Sequence, residues 1–250
     1  MAEIDTARAT AFGGWAAQYH RWRPTYPQDA VRWLLPPHAA RVAEVGAGTG
    51  KMTDRLVERG VDLDVVEPDS RMLDLVRGRH RFVRTHVAEA TALPLPNTSV
   101  DAVVVADAWH WFPKAEASAE VERVLRPGGW LGCAWNLVAP EQEWERELHG
   151  LDPARNVAGE GEQEPLALLG LTRGRAERRA FPWTWWVTPR EWRGFQSTVS
   201  RVALLPDDER QATLDAGERR VAAVCAATGR DTVPLRHEAV CLRWSPSAGT

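Results

Sequence analysis

Acids and glycines at fixed spacing carry the clearest chemical signal in this chain. An apolar stretch leads into Glu44, and Gly46, Gly48 and Gly50 follow at every second position. Glycine lets the backbone approach a ligand where a Cβ would clash, and the free N–H groups at a helix start favour a polar or anionic group. Glu67 ends a second apolar stretch, where an acid can accept hydrogen bonds from both hydroxyls of a ribose. The spacing predicts a strand–helix–strand unit that binds a nucleoside.

The glycine spacing separates two classes of nucleoside ligand. Dinucleotide-binding enzymes use G-x-G-x-x-G after an apolar strand, whereas this chain has G-x-G-x-G with Glu44 two places before the first glycine. A carboxylate at that place would repel a pyrophosphate, and it suits a ligand that carries an ammonium group. The pattern resembles the first motif of the class I S-adenosylmethionine-dependent methyltransferases, E/D-x-G-x-G-x-G.

Later segments resemble the same family in the same order. Residues 88–94 read A-E-A-T-A-L-P and are similar to the family's G-D-A-E-x-L-P stretch, and residues 123–131 are similar to its helix, L-x-P-G-G turn and fifth strand. The N-terminal F…Y…R-P-T-Y-P pattern and the H-W-F of residues 110–112 resemble the small-molecule branch that includes trans-aconitate methyltransferase-like proteins. The resemblance covers about residues 10–136 and is looser beyond them.

The resemblance implies a cofactor, S-adenosyl-L-methionine, and its contacts. Glu67 is expected to hold the ribose, Glu89 and Ala90 the adenine, and the glycine segment the methionine end. Arg23 suits the donor's carboxylate, since a guanidinium is permanently charged and bidentate, and the Ala106 carbonyl is the expected acceptor for its ammonium. The expected cofactor-binding residues are Tyr19, Arg23, Glu44, Gly46, Ala47, Gly48, Glu67, Pro68, Met72, Glu89, Ala90 and Ala106.

Alternating apolar strands and helices predict an α/β fold with helices on both faces of a parallel sheet. The expected strands are 41–45, 62–66, 81–85, 101–106 and 130–135, with helices at 50–59, 69–77 and 114–125. Residues 175–185 and 233–244 read as two further strands, which form an antiparallel edge pair in the resembled family. The expected architecture is a doubly wound, mostly parallel, seven-stranded Rossmann-like sheet. We expect one domain over residues 1–250, with residues 1–28 and 137–170 as lid elements.

Two shorter signals refine this picture. Residues 140–151 read as a helix and residues 152–161 as a loop within the second lid element. Thr188 followed by Pro189 predicts a helix start, with the threonine as N-cap and the proline at the first helical position.

His110 is the candidate catalytic residue. It follows the fourth predicted strand, at the sheet edge where doubly wound folds bind ligands, and imidazole titrates near neutrality, so it could accept a proton from the substrate. It could instead only contact the substrate or pack beneath a lid. The chain has 13 tryptophans, and four near the expected site are predicted to contact a flat substrate: Trp109, Trp111, Trp183 and Trp185.

Asp107 and Asn136 end the fourth and fifth predicted strands and raise the question of a metal. Catechol-type O-methyltransferases bind magnesium through an Asp and an Asp-Asn pair at those strand ends. Here Trp135 replaces the second Asp, which leaves two ligands where hard cations take about six oxygens. No metal is therefore expected, and Asp107 is left to contact the donor's ammonium or to cap the following turn.

The composition and net charge of the chain limit the kinds of partner that it is expected to bind. A net charge of −3 gives no electrostatic footprint for nucleic acid or an anionic membrane. No apolar run approaches the ~20 residues of a membrane helix, and the three cysteines lack the spacing of a zinc site. The partner is expected to be a small-molecule substrate and the location cytoplasmic, and the sequence gives no oligomeric state.

Two functional hypotheses follow from the resemblance. The first is S-adenosylmethionine-dependent methyl transfer to a small, aromatic or heterocyclic metabolite through an oxygen, nitrogen or carbon atom. The second keeps the donor pocket, but the protein acts as a cyclase or as a binding module.

Overall fold

The computed structural model of the protein describes residues 16–150, 165–171 and 173–246. Its strands are β1 Arg41–Val45, β2 Asp62–Val66, β3 Arg84–His86, β4 Val100–Ala106, β5 Leu125–Val138, β6 Arg175–Val187 and β7 Val233–Ser245. Its helices are α1 Ala16–Trp22, α2 Gln28–Leu34, α3 Lys51–Glu58, α4 Ser70–Arg79, α5 Lys114–Val124, α6 Glu143–His149, α7 Pro165–Leu169, α8 Pro189–Ser197, α9 Ser200–Ala203 and α10 Asp207–Thr228. One turn of 3₁₀-helix spans Trp109–Trp111.

The strands form a seven-stranded sheet in the order β3-β2-β1-β4-β5-β7-β6. Strands β1 to β5 run parallel to one another, whereas β7 is antiparallel to both β5 and β6. The predicted doubly wound, mostly parallel α/β sheet with an antiparallel edge pair is confirmed. Chain order reverses between β1 and β4, so their carboxyl ends border the crevice in which folds of this class bind ligands.

Helices cover both faces of the sheet because alternate strand residues enter two separate apolar clusters. Val42 and Val104 pack with Leu34 and Leu56 under α2 and α3. Their neighbours in the strands point the other way and pack with residues of α5 and the 3₁₀ turn. Strands buried on both faces read as nearly continuous apolar runs, which is why β1, β2 and β4 could be placed from the sequence to within one residue.

The third strand is shorter than predicted. The sequence predicts residues 81–85, but β3 spans Arg84–His86, and residues 81 and 82 form a turn. Phe82 is fully exposed, so its side chain does not pack against the core as that of a buried strand residue would. The prediction treated an aromatic residue of an exposed turn as part of a strand.

The lid elements are described only in part. Residues 1–15 and 151–164 lie outside the described residues, and with them the predicted loop 152–161. The described part of the N-terminal segment contains α1, which contacts α4 and α8. The predicted helix 140–151 is present as the shorter α6.

The start of α8 confirms the predicted cap. The Thr188 hydroxyl accepts a hydrogen bond from the Glu191 N–H, and the Glu191 carboxylate accepts one from the Thr188 N–H. Each side chain therefore pairs a backbone N–H that has no partner within the helix.

Across the described parts of the chain, no helix combines the length and apolar character needed to cross a bilayer.

Candidate active site

A cavity of about 370 Å³ lies at the carboxyl ends of β1 and β4, in the crevice set by the sheet order. The loop after β1 and the segment after β4 form adjoining walls. Residues of β5, β7, α8 and the segment from α1 to α2 complete the enclosure. Ten of the predicted site residues line this cavity, namely Tyr19, Arg23, Glu44, Gly46, Ala47, Gly48, Met72, Ala106, His110 and Trp111.

The glycine loop, residues 46–50, needs glycine for two separate reasons. Gly46, Gly48 and Gly50 have φ angles of 70°, 54° and 88°, a left-handed conformation that side chains disfavour. A Cβ at Gly46 would also lie 2.8 Å from the Ala108 Cβ, so the loop is pressed against the segment after β4. The loop is therefore held in a form that exposes its backbone to the cavity.

Glu44 places a buried carboxylate in the cavity wall. Its Oε2 accepts a hydrogen bond of 2.6 Å from the Thr53 hydroxyl, while its buried Oε1 has no partner among the described residues. Burial raises the pKa of the Glu44 carboxyl to about 8, although the Thr53 hydrogen bond opposes the shift. A buried polar atom without a partner is rare, so a ligand that donates a hydrogen bond there would fit.

Glu67 is attached to the same loop from the end of β2. Its Oε2 accepts a hydrogen bond of 2.9 Å from the Gly48 N–H, and its Oε1 accepts one of 3.1 Å from the Asp69 N–H. Burial raises the pKa of this carboxyl, and the two backbone hydrogen bonds oppose the shift. Each oxygen keeps a lone pair for a further donor.

Four predicted cofactor contacts are absent from the cavity lining: Glu67, Pro68, Glu89 and Ala90. Glu89 is exposed, and Ala90 is buried in the apolar cluster beneath α5. These four residues could contact the nucleoside only if it extends out of the cavity beyond Gly48. Their expected roles therefore stay predictions.

Asp107 enters the cavity directly after β4. Its φ of 50° is unusual for a residue with a side chain. Its Oδ2 accepts a hydrogen bond of 2.5 Å from the Tyr26 hydroxyl, and its Oδ1 accepts one of 3.2 Å from the Asn136 N–H. Asp107 is exposed to the open cavity as a whole residue, yet the surrounding protein desolvates its carboxyl and raises the pKa to about 6, against the effects of Tyr26, Asn136 and Arg23. Asp107 thus does more than cap a turn.

Asn136 joins three segments at this point. Its amide donates to the Thr25 carbonyl at 3.0 Å, and its Oδ1 accepts from the Trp183 indole at 3.2 Å. The side chain therefore ties the N-terminal segment to β5 and β6, while its backbone N–H binds Asp107. This explains the position of Asn136 without a metal.

His110 lines the cavity with one ring nitrogen engaged. The Trp135 indole N–H donates to His110 Nδ1 at 3.3 Å, and the His110 ring lies 4.8 Å from the Trp111 ring. Burial, followed by the nearby Lys114, lowers the pKa of the imidazole. Because an indole can only donate, the neutral ring carries its proton on Nε2.

Only one of the four predicted substrate tryptophans lines the cavity. Trp111 does so and is 49% exposed. Trp109 is 1% exposed, and its indole donates to the Leu169 carbonyl, so it belongs to the core and not to a substrate surface. Trp183 and Trp185 pack against His237 and Phe195, which line the cavity. These two tryptophans support the wall from behind, which differs from the prediction.

Arg23 is engaged by the protein itself. Its guanidinium donates to the hydroxyl of Thr198 at 3.1 Å and to the carbonyl of the same residue at 2.8 Å. It also lies 4.7 Å from the Tyr19 ring centre and 5.3 Å from that of Phe195. Arg23 therefore connects α1 to the end of α8, and only part of its hydrogen-bonding capacity is left for a ligand.

Lys51 and His237 also line the cavity, although neither belongs to the expected site. Within the described residues Lys51 forms no ion pair, and burial lowers the pKa of its ammonium to about 8. Its position immediately after Gly50 is a signal that could have identified it. His237 has no such signal, because only the pairing of β7 with β5 brings it to the cavity.

The fold and the site together define a protein of the doubly wound α/β class with a glycine loop at the ligand crevice of its sheet. The sheet order supplies the crevice, the glycine loop supplies close backbone approach, and Glu44 in β1 and Glu67 after β2 place two acids beside that loop. Among the described residues there is no cluster of three or more His, Cys, Asp or Glu side chains suited to a metal ion.

Comparison with known proteins gives the family. A protein-family model described as a methyltransferase domain matches residues 43–133 of the sequence. An uncharacterized methyltransferase of Mycobacterium tuberculosis is 38% identical over 93% of this chain and 94% of its own length. A malonyl-[acyl-carrier protein] O-methyltransferase of Methylococcus capsulatus is 37% identical over 61% of this chain and 60% of its own. The structure of a provisionally assigned type II methyltransferase from Anaeromyxobacter dehalogenans is 26% identical, with a TM-score of 0.64 over 90% of this chain and 97% of that one.

The chain therefore belongs to the methyltransferase family and is an enzyme of class I, for which S-adenosylmethionine is the methyl donor. The narrower resemblance to trans-aconitate methyltransferase-like proteins is not confirmed by these relatives.

Proposed function

We propose that the protein transfers the methyl group of S-adenosylmethionine to a small metabolite that contains an aromatic or heterocyclic ring. The observation that carries the proposal is a set of four aromatic residues, His110, Trp111, Phe195 and His237, that line the same cavity as the glycine loop and are here called the aromatic wall. Flat rings pack favourably against aromatic side chains. A cavity of about 370 Å³ suits a small molecule and not a macromolecular surface.

The residues of the glycine loop fit the donor. The unpartnered Oε1 of Glu44 is suited to its ammonium group, and Lys51, with Tyr19 and Arg23, is suited to its carboxylate. Glu67 can accept hydrogen bonds from ribose hydroxyls. When bound, the donor supplies a methyl group already activated by positive sulfur, so the protein has to orient the acceptor and exclude water. Orientation of this kind can contribute ~7–11 kcal/mol.

The charge of the cavity favours a neutral acceptor over a carboxylate. Two possible acceptors carry carboxylates. The name of the Methylococcus capsulatus relative points to a malonyl thioester, and the sequence resemblance points to trans-aconitate. Asp107 would repel a second carboxylate beside the aromatic wall. Arg23 is a cation that lowers the pKa of Asp107, and its guanidinium already donates to the hydroxyl and carbonyl of Thr198, so fewer of its N–H groups are left for an acceptor carboxylate.

Methyl-labelled S-adenosylmethionine tests the proposal. The protein is incubated with phenols, nitrogen heterocycles, trans-aconitate and a malonyl thioester, and label in each product is counted. Label in the ring compounds supports the proposal, and label only in the carboxylates contradicts the acceptor class. If no compound is labelled although S-adenosylhomocysteine binds, the result supports the hypothesis that the protein is a cyclase or a binding module.

Two tryptophans offer a matched control for the aromatic wall. Trp111 and Trp186 are 49% and 48% exposed, but only Trp111 lines the cavity. We expect Trp111→Ala to raise the KM for a ring acceptor about tenfold, since a ring–ring contact contributes ~0.5–1.5 kcal/mol beyond the burial of its area. Trp186→Ala should leave KM unchanged. Equal effects of the two substitutions would contradict the role given to the aromatic wall.

A further inference from the structure

We propose that Asp107 accepts the proton of the methyl acceptor, and that the acceptor therefore presents a neutral hydroxyl or ring N–H to this carboxylate. The proposal rests on the methyl transfer proposed above and names the proton-accepting residue and the acceptor's chemistry.

The backbone holds Asp107 in an uncommon conformation at the centre of the site. Its φ of 50° lies in the left-handed region, and its N–H donates to the Ala134 carbonyl at 2.8 Å, which fixes the turn to β5. Residues that keep such a conformation cluster at active sites. The side chain lines the cavity beside Ala106, at the carboxyl end of β4.

The Asp107 carboxylate is positioned but not saturated. One oxygen accepts from the Tyr26 hydroxyl and the other from the Asn136 N–H. An ionised carboxylate has about four lone-pair sites, so each oxygen can accept one more proton donor from the cavity. Tyr26 and Asn136 come from the N-terminal segment and from β5, which fixes the carboxylate from two sides.

His110 is less suited to the same task. The Trp135 indole occupies its Nδ1, and the neutral ring therefore carries a proton on Nε2. To accept a proton, His110 would have to give up the Trp135 contact. As it stands, the Nε2–H can donate a hydrogen bond to the acceptor, which is a positioning role.

Several charged or titratable groups face Asp107, and two of them, Tyr26 and Arg23, favour its ionised form. These groups are Tyr19 and Arg23 from the α1 segment, Tyr26 from the start of α2, and Cys241 from β7. Desolvation of the carboxyl raises the pKa of Asp107 to about 6, and the Tyr26 hydrogen bond and Arg23 limit the rise. Burial also raises the pKa of the Tyr26 phenol well above its ordinary value, so Tyr26 remains the donor.

The transfer step balances with Asp107 as the base. The acceptor's O–H or N–H proton moves to a carboxylate oxygen of Asp107, and the electron pair left on the acceptor forms the bond to the methyl carbon. The electron pair of the carbon–sulfur bond remains on sulfur, which changes from a sulfonium to a neutral thioether. Asp107 then returns its proton to water. An acceptor that is already an anion would need no such base.

Asp107→Asn and Tyr26→Phe test the assignment. For Asp107→Asn we expect S-adenosylhomocysteine affinity within threefold of the wild type by calorimetry, and kcat lower by ~10²–10⁴-fold. Tyr26→Phe removes the hydrogen bond that holds the pKa of Asp107 down. It should move the acid limb of the kcat–pH profile to higher pH by about one unit.

A readout independent of turnover comes from carbon-13 NMR of the carboxyl groups in the protein bound to S-adenosylhomocysteine. A resonance that titrates near pH 6 should be absent from Asp107→Asn and should titrate at higher pH in Tyr26→Phe. His110→Gln is the matched comparison, and it should lose less activity than Asp107→Asn and keep the acid limb.

Several outcomes would overturn the assignment. They are a loss of S-adenosylhomocysteine affinity above tenfold in Asp107→Asn, wild-type turnover in that variant, or loss of the acid limb in His110→Gln. Methylation of carboxylate acceptors alone would also overturn it, but would leave methyl transfer intact. A wild-type protein that neither binds S-adenosylhomocysteine nor transfers label would refute the proposed function itself.

Discussion

The pKa of Glu44 makes donor binding release a proton. Burial raises this pKa to about 8, so at pH 7 about 0.9 of the free protein holds the proton. An ammonium group at Oε1 favours the ionised carboxylate and lowers the pKa. We therefore expect S-adenosylhomocysteine to displace up to about 0.9 proton from Glu44 at pH 7.

The same residue makes the unliganded protein less stable as pH rises. The pKa in the folded state lies above the ordinary value of 4.5, so the folded protein binds the extra proton between that value and about 8. The free energy of unfolding falls as pH rises through this window. The full shift corresponds to roughly 5 kcal/mol as an upper limit, because the effective dielectric constant around buried groups in proteins is higher than that of a dry interior. Glu44→Gln should remove this decrease in the free energy of unfolding with rising pH.

Calorimetry at pH 7 in two buffers of different ionisation enthalpy counts the protons released. The difference between the wild type and Glu44→Gln isolates the contribution of Glu44, since Lys51 and Asp107 are present in both proteins. We expect the variant to bind more weakly and to release about one proton fewer. An unchanged proton count, or unchanged affinity at both pH 7 and pH 9, would refute the reasoning.

Three further predictions concern binding and stability. Glu67→Ala should weaken S-adenosylhomocysteine binding about 100-fold by calorimetry, since hydrogen bonds to a charged group contribute ~1.5–3 kcal/mol each; unchanged affinity would exclude the ribose contact. In urea unfolding, Trp109→Ala should lower the free energy of unfolding by ~3–5 kcal/mol, whereas Trp111→Ala should change it by less than ~0.5 kcal/mol; equal losses would contradict their different burial. Thr188→Ala should reduce stability by ~1 kcal/mol through loss of the cap without altering S-adenosylhomocysteine affinity, and thermal unfolding with calorimetry checks both parts.

Features encoded by neighbouring residues could be predicted from the sequence. The apolar runs of β1, β2 and β4, the glycine loop and the Thr188 cap each depend on a few consecutive residues. The antiparallel edge pair was expected from the family resemblance, because sequence periodicity does not show which strands pair. Phe82 shows the limit of apolar patterns, since an exposed turn aromatic cannot be distinguished from a strand residue.

The site was less predictable because distant segments meet in it. The hydrogen bond between Tyr26 and Asp107 joins residues 81 positions apart, and His237 reaches the cavity only through sheet pairing. Trp109 and Trp111 are two residues apart, yet the 3₁₀ turn buries one and leaves the other on the cavity. The two side chains are separated by about two-thirds of a 3₁₀ turn, and composition does not encode which of them is buried.

The structure of the protein bound to S-adenosylhomocysteine is the most direct test of the central claim. We predict the amino group of the ligand within hydrogen-bond distance of Glu44 Oε1, its backbone along the glycine loop, and its ribose on Glu67. A nucleoside bound away from this loop, with Glu44 Oε1 still lacking a partner, would contradict the account.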